Sequence, residues 1–199
     1  MSRGRAWCRS AAAVAFPVVL FGCVSSTPVN VSGTYQDRVP PRPAAPAASP
    51  VAAGCGVLID QITDSRTDPS VLGVVLGRAV KGPADAQAWL RSVLGGLPAR
   101  GVPVAFAASD PGAAAALVHL SIELRTAWVT TTSSNKNANV LLRAVLTKGS
   151  EPPVERNIRG IRSSINWNAS DSELQSLVNA AFGSALDQLA DSIRPMCHP

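Results

Sequence analysis

Apolar and polar side chains alternate most strictly over residues 117–130, where Val118, Leu120, Ile122, Leu124 and Trp128 share one parity and His119, Ser121, Glu123 and Arg125 the other. A period of two sends successive side chains to opposite faces, so the segment predicts a long, half-buried β-strand with Trp128 in the core. Residues 131–138, rich in Asn and Ser, read as a hairpin loop, and residues 140–147 return with Val140, Leu142, Ala144 and Leu146 facing inward. Residues 154–167 are less regular: Ile158 lies on one parity and Ile161, Ile165 and Trp167 on the other, which predicts a β-bulge near Gly160. Shorter apolar runs at 56–62, 71–76 and 103–107 add strands, the first ending in the polar run 63–69.

Two segments switch to helical spacing. Gly82-Pro83 is expected to open the first helix, with Ala86, Leu90, Val93, Leu94 and Leu97 on one face, Trp89 beside them, and Pro98 and Gly101 as stops. The second begins at the capping box Ser170-Asp171-Ser172-Glu173, carries Leu174, Leu177, Val178, Ala181, Ala185, Leu189 and Ile193 as an apolar stripe, and ends at Pro195. Alternating strands and two one-faced helices are most simply buried in an α+β fold, a two-layer sandwich of a mainly antiparallel sheet covered by two helices.

Residues 1–22 follow another rule: Arg3, Arg5 and Arg9, then an apolar stretch from Ala11 to Phe21, then Gly22. That order is a secretion signal, and its apolar part is too short to span a bilayer. Leu20-Phe21-Gly22-Cys23 resembles the bacterial lipobox. The resemblance implies cleavage before Cys23, a diacylglycerol on its sulfur and a further acyl chain on the new amino group, enough for durable membrane anchoring. Val24 stands where inner-membrane retention in enteric bacteria would require aspartate, which points to the outer membrane. Residues 23–53, rich in Pro, Ala and Ser, then read as a lipidated tether, with a periplasmic α+β domain over 54–199.

Processing changes the charge and the cysteine count. The chain of 199 residues carries a formal net charge of +5, but losing three arginines leaves it two basic residues in excess. Nucleic-acid binding therefore loses its electrostatic basis. Cys8 leaves with the signal and Cys23 takes lipid, so Cys55 and Cys197 remain for a disulfide in an oxidising compartment. The competing readings of that pair, a metal site or a redox couple, lack both CxxC spacing and a histidine cluster.

No hydrolase, phosphate-loop or metalloprotease motif occurs, and no catalytic residue, cofactor or metal is expected. His119 falls on a polar strand face, where solvation is its natural role, and His198 is next to last. Asp60, Asp64 and Asp68 are spaced by fours across a strand and a loop, so they share no helical face; Asp64 and Arg66 read as a turn-pinning pair. Trp167, between Asn166 and Asn168, is the candidate exposed contact, whereas Trp89 and Trp128 are assigned to the core.

Taken together, the lipobox, Val57-Leu58-Ile59-Asp60, Thr63-Asp64-Ser65-Arg66, Leu97-Pro98-Ala99-Arg100-Gly101, Leu120-Ser121-Ile122-Glu123-Leu124, and Asp187 and Asp191 on the last helix resemble the YajG-type lipoproteins. The resemblance implies an outer-membrane-anchored periplasmic domain without assigning chemistry. The expected function is a non-enzymatic binding or structural role toward an envelope protein or lipid. The alternative is an auxiliary lipoprotein subunit of a lipid or lipopolysaccharide transport system.

Overall fold

The computed structural model describes residues 27–37, 56–107, 118–165 and 169–197. Among them the strands are β1 (Val29–Asn30), β2 (Val57–Asp64), β3 (Val71–Val75), β4 (Arg78–Lys81), β5 (Val104–Phe106), β6 (Val118–Thr131), β7 (Asn135–Thr147) and β8 (Val154–Ile165). The helices are α1 (Ala86–Leu94) and α2 (Asp171–Ile193), and one-turn helices follow at Pro98–Arg100 and Arg194–Cys197. The eight strands form one mixed sheet and the two helices a covering layer, an α+β fold. None of the helices among the described residues is long and apolar enough to cross a membrane.

The longest strand organises the sheet. One edge of β6 pairs antiparallel with β7, which pairs antiparallel with β8. Its other edge takes two parallel partners in succession, β2 along Val118 to Leu124 and β3 at Val129. β5 extends the sheet beyond β2, and β4 and β1 extend it beyond β3.

The alternation in β6 holds through Leu124, with Val118, Leu120, Ile122 and Leu124 all buried. The register against β7 then shifts between Leu124 and Thr126. One extra residue inverts the parity, so Ala127 and Val129 turn inward and Trp128, assigned to the core from the sequence, is exposed. The bulge expected near Gly160 is absent: β8 pairs with β7 in unbroken register from Val154 to Ile165. Gly160 instead marks where α2 crosses the strand, since a Cβ there would lie 1.9 Å from the Ala181 carbonyl oxygen.

Other boundaries also differ from expectation. The run 71–76 ends in a two-residue turn, Leu76-Gly77, that returns as β4. The hairpin loop contracts to 132–134, because strand pairing continues to Lys136 opposite Thr131. α1 begins after Asp85, whose side chain accepts a hydrogen bond from the Ala88 N–H at 2.8 Å, and not at Gly82-Pro83. Ser170 caps α2 as expected, accepting from the Glu173 N–H at 3.3 Å. The Glu173 carboxylate leaves the capping box and pairs with the ammonium of Lys136, a side chain with no exposed surface. The expected apolar stripe of α2 is buried along its length, and Trp89 of α1 meets Phe182 of α2 edge to face at 4.8 Å.

Residues 27–37 lie within the stretch expected to be tether, yet they pack on the domain. Val29 and Val31 are buried, and β1 pairs with β4. The segment then crosses the helical layer: the Ser32 N–H donates to Gln175 Oε1 at 2.6 Å, the Tyr35 N–H to Ser92 Oγ at 3.0 Å, and Arg100 to Asp37 at 2.5 Å. Burial beside Asp37 pushes the Tyr35 hydroxyl up to about 12. Composition alone missed this strap because two strand residues are too few to show a period.

Candidate functional site

Among the described residues, the space between helices and sheet is filled. Trp89, Leu90, Leu94, Leu120, Phe182 and Leu186 have no exposed surface, so the helix side is packed to the density of a core. The opposite, outer face of the sheet is open, and it is polar where β2, β6 and β7 run side by side. Among the described residues it carries a depression of about 380 Å³ lined by Gln61, Thr63, Ser121, Glu123, Arg143 and Val145, contributed by β2, β6 and β7.

Strand pairing sets the electrostatics of this groove. Glu123 stands directly opposite Arg143, and Glu155 opposite Val145, so charges of alternating sign step across three strands. Arg143 donates to both Glu155 oxygens, each at 2.6 Å, and reaches Glu123 at 3.5 Å. Glu123 also accepts from the Ser65 hydroxyl and from Arg125, the latter at 3.1 Å. The Ser65 hydroxyl, then Arg125, holds the Glu123 carboxyl below the usual range, and Arg143 does the same for Glu155. Both acids stay ionised at neutral pH, which makes them poor proton donors but permanent charges for recognition.

His119 and Asp60 meet on the same face at 3.0 Å, both half-exposed. Asp64 receives a two-pronged hydrogen bond from Arg66, with both contacts at 2.9 Å, which fixes the turn after β2 as the sequence suggested. Burial works against the Asp64 carboxylate, but Arg66 keeps its acid form below the ordinary range. Asp68 accepts from Ser70 instead, so the three aspartates do not converge, and among the described residues no group of acids, histidines and cysteines is placed to hold a metal.

Of the residues singled out in the sequence, Cys23, Cys55 and Trp167 lie outside the described residues. Cys197 is disulfide-bonded, at the end of the one-turn helix that follows α2. Sequence reasoning missed the Glu123, Arg143 and Glu155 array, although its signal was present: two antiparallel strands whose outward positions carry opposite charges.

No protein-family model matches the chain, and no curated protein matches it in sequence. Among solved structures, a Xanthomonas campestris protein of family DUF330 is 20% identical, covering 83% of this chain and 92% of that one at a TM-score of 0.48. PelC from Paraburkholderia phytofirmans, solved as a dodecamer, is 18% identical, covering 67% and 87% at 0.42. A lipoprotein from Neisseria meningitidis is 15% identical, covering 69% and 99% at 0.34. Likenesses of this size assign no activity.

Proposed function

We propose that this chain is a bacterial envelope lipoprotein, anchored in the outer membrane through acyl chains on Cys23 and facing the periplasm. Its domain binds another envelope component without catalysing a reaction. The observation that carries the binding role is the contrast between the two sides of the sheet: a filled helix side, and an outer groove lined by fixed charges and hydroxyls. A groove of ionised carboxylates and arginines suits a polar protein surface better than an acyl chain, whose burial needs an apolar cavity. The anchor is supported by the order of basic start, apolar stretch and lipobox over residues 1–23.

Growth with labelled palmitate tests the anchor. The wild-type chain should be labelled, begin at residue 23 and sediment with membranes, whereas Cys23→Ser should be unlabelled and unprocessed or mislocalised. Unchanged labelling and fractionation of the variant would overturn the reading. Mass spectrometry of proteins and lipids captured from cross-linked envelopes identifies the bound component. Stoichiometric lipid beyond the covalent acyl chains would favour the transport-subunit alternative.

We further propose that Cys197 pairs with Cys55, joining the two ends of the domain. Closing a loop of well over a hundred residues contributes roughly 5 kcal/mol at most. Reductant should lower the melting temperature of the wild type by about 10 °C and leave that of Cys55→Ala where it was. Equal shifts in the two proteins would remove this bridge.

A further inference from the structure

We propose that the end of the domain carrying the β3–β4 turn rests on the bilayer, with Leu76 and its apolar neighbours entering the headgroup region. The proposal builds on the lipid-anchor reading above and adds which surface meets the membrane.

Among the described residues, five large apolar side chains are conspicuously exposed: Val74 (51%), Leu76 (52%), Trp128 (42%), Ile161 (43%) and Ile165 (59%). Isolated exposed hydrophobics need no explanation, but a cluster does. Strand register brings these five to one corner. Trp128, Asn139 and Ile161 form a single row across β6, β7 and β8. Ile165 stands opposite Asn135, beside the β6–β7 turn. Val74 follows Gly73, the partner of buried Val129, and so shares the outer face with Trp128. Leu76 tips the neighbouring hairpin.

The tip itself is an unusual choice of residue. Leu76 and Gly77 both have positive φ, 51° and 74°, the arrangement of a type I′ hairpin turn that Asn-Gly adopts most easily. A leucine there costs about 1 kcal/mol of backbone strain and leaves about half of the residue in water. Folding buries only part of that surface, whereas insertion into lipid recovers the transfer energy of the rest.

Thr27, the first described residue, lies at the same corner. The Thr27 carbonyl accepts from Arg78 Nε at 2.8 Å, and Arg78 directly follows the turn. Another Arg78 nitrogen donates to the Ala169 carbonyl at 3.3 Å, which brings the start of α2 to this end. Only four residue steps separate Cys23 from Thr27, a reach of roughly 14 Å when fully extended, about half the hydrocarbon thickness. Acyl chains on Cys23 therefore hold this end of the domain to the membrane surface. Trp128 is the side chain type favoured at membrane–water interfaces, and the exposed Arg159, two positions before Ile161 on the same strand face, suits lipid phosphates.

The test places a photoreactive residue in the full-length, processed protein reconstituted in vesicles of phosphatidylethanolamine and phosphatidylglycerol. Leu76→p-benzoylphenylalanine and Ile165→p-benzoylphenylalanine probe the corner; Ser150→p-benzoylphenylalanine, in the turn between β7 and β8 at the far end, is the control. Lipid adducts at 76 and 165 should exceed those at 150 by at least about fivefold. Acylated, vesicle-bound protein that gives equal yields at all three positions, or gives protein adducts in place of lipid, defeats this orientation and leaves the anchor intact. Intact mass showing no acyl chain on Cys23 removes the anchor and this proposal together.

Discussion

Gly160→Ala should lower the unfolding free energy by about 3 kcal/mol or more, the upper end of overpacking penalties. The new methyl would lie 1.9 Å from the Ala181 carbonyl oxygen and 3.1 Å from the Ala185 nitrogen. Both are backbone atoms of α2, so no side-chain rotation can relieve the contact; the helix must lift from β8. Lifting it loosens the layer that buries Leu177, Ala181 and Phe182 against the sheet. In urea, the denaturation midpoint should fall with little change in slope. A midpoint close to that of the wild type would mean that α2 does not pack this tightly on the strand.

The second large effect belongs to the ion pair of Lys136 and Glu173. Lys136 occupies an inward position of β7, two residues before buried Ala138, and its ammonium reaches the first turn of α2. Glu173→Ala leaves that ammonium buried without its carboxylate and should cost about 3–5 kcal/mol. Lys136→Met fills the same space without a charge and should be neutral or stabilising, because it removes the desolvation penalty of the buried ammonium while the Glu173 carboxylate, 29% exposed, keeps contact with water. Urea midpoints of the two single variants and of the double variant check this, and the double should resemble Lys136→Met alone. A loss below about 1 kcal/mol for Glu173→Ala would place the pair in the class of exposed salt bridges.

What the sequence disclosed follows the range over which its signals act. The alternation of Val118 to Leu124, the stripe of α2 and the Ser170 cap are local, and each appears where expected. The bulge after Leu124 was invisible because Arg125 and Thr126 carry no glycine or proline to announce it, yet it alone decides that Trp128 faces solvent. Leu76-Gly77 escaped notice because leucine is a poor marker of a tight turn. The burial of Lys136 depends on a partner 37 positions away, beyond the reach of any periodicity. For the site, the lipobox, Cys23 and Cys55 fall outside the described residues, whereas the charged groove exists only once β2, β6 and β7 are side by side.

The strap formed by residues 27–37 also decides which strand borders stay open to other chains. Hydrogen-bonding groups along an unpaired border invite intermolecular pairing and aggregation. By laying β1 on β4, the chain closes part of one border with its own upstream segment. On the opposite border, where β8 pairs with β7 alone among the described residues, Arg156, Arg159 and Arg162 take up the protective role through charge repulsion between copies. A recombinant form trimmed to start at Gly54 would expose the first border and strip Val29 and Val31 from the core while keeping the second border guarded, so solubility in such a preparation would report on the missing strap.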